Sequence, residues 1–226
     1  MPSISFKSAI GYSAPILFII FGVLFMPSFE PVILEYRAIL ELLPYVLLIF
    51  ATLLGFHFNV GRLFLAALML VLCYALLQGA ANSGSSSGLV QLLSVIMPIN
   101  FALLALLPER GVRALFCYMM MGLLITETAL SAVLLSQRDH PFWQWLHLSP
   151  VDWEIAQHLA LSQSSLITIL TATMLILVCW LFAKGAFTWV LLALLLGVSL
   201  VLNDASEISL RLIVFSILGA TLLISL

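Results

Sequence analysis

Charge is what this sequence has least of. Only 8% of its 226 residues are Asp, Glu, Lys or Arg, against about 25% in a soluble domain. A chain so poor in charge cannot cover itself with a water-compatible surface, which excludes a soluble globular protein. The net charge of −2 comes with no basic stripe, so a nucleic-acid binder is not expected. Cysteine is also scarce. Cys73, Cys117 and Cys179 each lie in an apolar run, and none shares a CxxC or zinc-type spacing with another. They read as small buried hydrophobes, with no disulfide framework. The sequence has no GxSxG, HExxH, P-loop or DxxD cluster, so no enzyme of a familiar hydrolase or protease type is expected, and no cofactor or metal. A ladder of intramembrane charges, as in a proton pump, is missing too. After Lys7, "FMPSFEP" offers no small-residue cleavage site, so the N-terminus is not read as a signal peptide.

What is present is hydrophobic length. Apolar residues make up 64% of the chain, and the mean hydropathy is +1.24. Crossing a bilayer core takes about 20 apolar residues of helix. Eight stretches meet that standard, at about 10–26, 38–57, 62–80, 88–107, 113–136, 163–183, 186–203 and 207–226. The expected fold is therefore an all-α polytopic membrane bundle of about eight transmembrane helices. Pro44 and Pro98 fall inside spans two and four. Each is expected to kink its helix and free a carbonyl one turn earlier.

Cations set the orientation. With the N-terminus inside, the inner face carries Lys7, Arg62, Arg110, Arg113 and Lys184, and the outer face only Arg37, Arg138 and Arg211. Both termini are then cytoplasmic, and "PERGVR" (108–113) is a tight inner turn held by Arg110 and Arg113. The longest outer loop lies between spans five and six and contains Trp143, Trp145 and Trp153. Ser149-Pro150-Val151-Asp152 reads as a helix start. A helix running straight from there to Ala183 would be about 50 Å long, too long for one crossing. The loop is therefore expected to form a short interfacial helix, a bend near Ser162–Ser165, and then span six. Its tryptophans act either as an aromatic belt at the headgroups or as a lid over an outward-facing pocket. The chain reads as one integral membrane domain, 1–226. Spans one to four and five to eight follow the same inside-to-inside course, which suggests parallel repeats over 1–110 and 111–226.

Few side chains in the spans bear on chemistry. Glu127, in "LLITETALSAV", is the only carboxylate well inside a span. It lies about 14 Å deep at 1.5 Å per residue, where an ionisable group is costly and so a functional candidate. It is expected to face the bundle with Ser131 one turn on. The alternative is a structural hydrogen bond to a neighbouring helix. Arg211 is a second candidate. Helical side chains lean toward their own N-terminus, which carries Arg211 outward and Glu127 inward, so Glu207, four residues earlier, is the easier partner. His57, Asn59 and Arg62 crowd the inner turn "HFNVGR", where the histidine either hydrogen-bonds as an anchor or senses pH. Asn100, two residues after Pro98, is expected to satisfy the carbonyl that Pro98 frees.

Two of these stretches carry a family resemblance. "LPYVLLIFATLLGFHFNVGRLFLAALML" and "VIMPINFALLALLPERGV", with the greasy close of the chain, resemble the N-terminal multi-pass membrane sensor region of bacterial GGDEF-domain diguanylate cyclases. The shared features are an "FN..R" inner turn after span two and a "P.N...LAL..ERG" run at span four. The resemblance implies an input domain in the bacterial inner membrane, embedded in the lipid bilayer and homodimeric. Its last span would lead into a cytoplasmic GGDEF domain that regulates cyclic di-GMP signalling. No GGDEF signature occurs in these residues, and the chain stops at "LGATLLISL" without a closing cation. The output domain is thus expected to follow residue 226, and the chain itself is not expected to be an enzyme. The alternative is a small secondary transporter or substrate-binding membrane component, favoured by the repeat and the two proline-broken spans.

Overall fold

The structure is a computed structural model that describes residues 6–83, 86–108, 111–136, 162–183, 186–204 and 208–225. Among them all regular structure is helical, with no strand. The helices are α1 (Phe6–Glu35), α2 (Arg37–Leu40), α3 (Leu43–His57), α4 (Gly61–Ser83), α5 (Ser86–Leu106), α6 (Leu115–Ser136), α7 (Gln163–Ala183), α8 (Ala186–Asn203) and α9 (Ile208–Ile224). Five segments are long and apolar enough to cross a membrane: Arg37–His57, Gly61–Ala81, Gly88–Leu106, Leu115–Leu134 and Gln163–Phe182. Ile16–Phe25, Phe187–Asn203 and Ile208–Ile224 are shorter apolar helices. The protein is a helical membrane bundle. Its outer apolar side chains fit that solvent: Phe182 is 87% exposed and Leu115 76% exposed, a surface that would drive aggregation in water.

Helix ends depart from the expected spans where proline or serine intervenes. α1 runs past residue 26, through Pro27 and Pro31, to Glu35. Pro44 does not kink the middle of a helix. The chain breaks at Glu41–Leu42, and Pro44 falls in the first turn of α3, where its missing N–H removes no intrahelical bond. Pro98 does lie inside α5. α7 begins at Gln163 with the Ser162 Oγ accepting the Ser165 N–H at 3.3 Å. That is an N-cap contact, and it puts a helix start where a bend is expected. The interfacial helix expected before it, with Trp143, Trp145 and Trp153, lies outside the described residues.

The helices pack as a central ring with satellites. α4, α5, α8 and α9 form the ring through α4–α5, α5–α8, α8–α9 and α9–α4. α3 lies against α4 and α9, and α7 against α8 and α5. α1 packs on α8 and α9, and α6 on α4 and α5. Moving four long helices along the chain (α1 to α6, α3 to α7, α4 to α8, α5 to α9) turns each of these contacts into another on the same list. Leu48, Tyr74, Phe101, Leu191, Leu194 and Phe215 are among the fully buried side chains that fill the ring and its first grooves. Association of such helices in lipid rests on packing and interhelical hydrogen bonds, since the tails outside are as apolar as leucine.

Candidate functional site

The polar groups inside the bundle gather in a few places. The first lies between α5 and α6. Asn100 is 1% exposed, and its Nδ2 donates to Glu127 Oε2 at 2.6 Å. Glu127 therefore faces the bundle, as expected, but its partner is an amide 27 residues earlier. Ser131 is buried, and its hydroxyl donates to the Glu127 carbonyl at 2.7 Å rather than to the carboxyl. The Asn100 Oδ1 has no hydrogen-bond partner among the described residues.

Asn100 therefore does not do what its distance from Pro98 suggests. The carbonyl that Pro98 frees is that of Ser94, one turn back. The Thr168 hydroxyl of α7, whose shorter bond goes to the Ser165 carbonyl at 2.8 Å, lies 3.4 Å from it. Ser94 and Ser165, both fully buried, also bring their hydroxyls within hydrogen-bond distance of each other. Ser162 extends this chain to Ser165 at 2.7 Å. Small hydroxyl side chains let α5 and α7 approach closely and hydrogen-bond across the gap. Sequence reasoning missed this seam because serine and threonine recur throughout the spans, and only the pairing of α5 with α7 singles these out.

The second place surrounds Arg211, which is 3% exposed in α9. It does not reach Glu127. Its Nη1 lies 3.4 Å from the Leu77 carbonyl and 3.4 Å from Gln78 Oε1, both on α4. Gln78 Nε2 donates to the Tyr74 hydroxyl at 3.3 Å, and that hydroxyl donates to the Glu41 carbonyl at 3.2 Å. The chain of contacts thus runs from α9 through α4 to the break between α2 and α3. There the Glu41 carboxylate holds Arg37 at 2.7 Å. Aromatic rings line the path, with Tyr74 against Tyr45 at 4.7 Å and against Phe215 at 5.0 Å. The expected local partner, Glu207, lies outside the described residues. Tyr74 and Gln78 were not read from the sequence as functional. The available signal was a glutamine one turn after a tyrosine inside a span.

The third place is the turn between α3 and α4, the "HFNVGR" stretch. Val60 N–H bonds the Gly55 carbonyl at 2.9 Å, closing a Schellman-type end on α3. That motif requires a left-handed residue between them. Asn59 supplies it at φ 58 and is the only non-glycine with positive φ among the described residues. Its side-chain Oδ1 accepts the Val112 N–H at 2.8 Å. The turn after α3 is thereby clasped to the turn after α5. Gly111 is needed for the fit, because a Cβ there would overlap the Asn59 side chain. Arg62 lines a small pocket beside the clasp with Pro108 and Gly111. His57 is exposed, with its ring edge-on to Phe58 at 5.2 Å. Arg110 lies outside the described residues. No group of three metal-ligating side chains occurs among the described residues. No protein-family model matches the chain, and neither a curated protein nor a solved structure shows significant similarity to it.

Proposed function

We propose that this chain is a sensory input domain of the bacterial inner membrane, crossing it eight times with both termini in the cytoplasm. On this reading it relays a signal through α9 to a cytoplasmic diguanylate cyclase domain. The observation that carries the reading is the polar chain Arg211–Gln78–Tyr74–Glu41. It ties the outer part of α9 to the broken start of α3, so a change at the outer surface would bear directly on the helix that runs inward last. α9 also touches α1, α3, α4 and α8, so its position depends on the packing of half the bundle. A signal shifts such a packing equilibrium only by its differential affinity for the two arrangements.

The two inner turns that carry the family resemblance are the two that the Asn59 clasp joins, which gives both motifs a shared physical role. Residues 1–226 fused ahead of a soluble diguanylate cyclase domain are expected to give membrane-bound cyclic di-GMP synthesis that shifts several-fold on Arg211→Gln. Output equal to that of the same cyclase on an unrelated membrane anchor would overturn the proposal. Reporter fusions at residues 1 and 226 are expected to report the same, cytoplasmic side; opposite sides would remove the route.

A second reading, a small secondary transporter, is favoured by the contact pattern that repeats four helices on, the arrangement expected of parallel 1–110 and 111–226 repeats. Solute uptake by vesicles that is lost in Glu127→Gln would favour it over signalling.

A further inference from the structure

The polar pocket between α4, α5 and α6 has the composition of an ion site. It is a cavity of about 20 Å³ lined by Asn100, Glu127, Thr128 and Ser131, with Met69, Cys73, Leu93 and Leu124 among its apolar neighbours. That volume admits about one water-sized occupant. Four oxygen-bearing side chains line it, and the two hydroxyl hydrogens are spent elsewhere. The Thr128 hydroxyl donates to the Leu124 carbonyl at 2.7 Å, and the Ser131 hydroxyl donates to the Glu127 carbonyl at 2.7 Å. Both keep lone pairs. The Glu127 carboxylate accepts one bond from Asn100 and has acceptor capacity left. The Asn100 Oδ1, on a residue 1% exposed, is buried without a partner. An unpaired buried acceptor is costly, and this one belongs to a side chain that lines the cavity.

Such a site calls for an occupant that is positive. Carboxylate, amide and hydroxyl oxygens are hard donors suited to hard cations. A single carboxylate balances one positive charge and no more, and excess buried charge is heavily penalised. We propose that this pocket binds one dehydrated sodium ion through Glu127, the Asn100 Oδ1 and the hydroxyls of Thr128 and Ser131.

The related contact elsewhere in the bundle sharpens the case. α6 against α5 corresponds to α1 against α9 when the contacts are moved four long helices along the chain. There Gly22 of α1 packs onto Ile213 and Ile217 beside an apolar cavity of about 390 Å³, whose lining has no carboxylate or amide side chain. Of the two positions, one is lined almost wholly by aliphatic side chains and the other is built around a carboxylate and an amide. This inference does not depend on whether the chain signals or transports.

The test is thermal melting of the purified full chain in lipid nanodiscs, in sodium, potassium and choline chloride at equal ionic strength and fixed pH. Sodium at about ten times its dissociation constant is expected to raise Tm over choline by about 3–5 °C, with potassium giving a smaller shift. Thr128→Val and Ser131→Ala, which remove only a hydroxyl, are expected to weaken the apparent sodium affinity about tenfold. Glu127→Gln is expected to abolish the response. Identical melting in the three salts, a response that depends on pH but not on sodium, or a sodium shift kept in full by the hydroxyl variants would overturn the site.

Discussion

Asn59→Val is expected to destabilise the protein by on the order of 3 kcal/mol, the sum of two separable terms. The first is backbone strain. Asn59 sits at φ 58, and a left-handed conformation costs an ordinary L-residue about 1–2 kcal/mol. The second is the loss of Oδ1, which orphans the N–H of Val112, a residue only 4% exposed. An unsatisfied buried donor costs about 1–3 kcal/mol. A substitution series separates them. Asn59→Gly removes the strain but also the acceptor, and should fall between wild type and Asn59→Val. Asn59→Asp keeps an acceptor oxygen in the same place and should lie near wild type. Gly111→Ala should resemble Asn59→Gly, because its new Cβ displaces the Asn59 side chain. At about 2–4 °C per kcal/mol for a chain of this size, thermal melting in detergent resolves all four variants. Equal melting of Asn59→Gly and Asn59→Val would mean the backbone strain is not there. Asn59→Asp falling as far as Asn59→Val would mean the bond to Val112 does not matter.

The same residue illustrates what the sequence makes legible. Asn59 follows a hydrophobic run, and asparagine is among the few residues at ease in the left-handed turn that ends a helix. Its place in the turn that ends α3 is therefore readable. Its bond to Val112 is not, because nothing local links residues 59 and 112. The same limit applies to the bundle as a whole. Helix positions follow from apolar length, since lipid sets how long a span must be. Helix pairing does not follow, because a span in hydrocarbon is apolar on its lipid face and its packed face alike. Phe182, 87% exposed, and Leu194, fully buried, belong to equally greasy runs. Pro44 shows a second limit. A proline inside an apolar run looks like a kink, yet this one starts a helix because the chain breaks just before it. Asn100 and Glu127 were each conspicuous as rare polar groups in spans, but only the packing of α5 on α6 makes them partners.

Arg211→Met is expected to leave the fold intact and to raise its stability by about 1–4 kcal/mol, the gain seen when a buried ionic group gives way to an apolar one of similar volume. The sign follows from the guanidinium's surroundings. Arg211 is 3% exposed. Its two acceptors among the described residues, the Leu77 carbonyl and Gln78 Oε1, are neutral and lie at 3.4 Å, long against the usual 2.9–3.0 Å. Its Nε is buried without a partner among the described residues. Such a charge costs more in desolvation than these contacts return. Gln78→Leu should act in the opposite direction. It takes away one of the two acceptors and leaves the charge in place, for a loss of about 1–3 kcal/mol. In the double variant Arg211→Met/Gln78→Leu that loss should largely vanish, because the group that needed the acceptor is gone, and the two substitutions should be strongly non-additive. On the proposed signalling reading, the stabilised Arg211→Met variant should nevertheless fail to modulate the fused cyclase, since the contact from α9 to Gln78 is cut. A residue that weakens the fold and is needed for output is one retained for its function. Melting of Arg211→Met well below wild type would instead make the guanidinium a structural tie between α4 and α9, and would take it out of the relay.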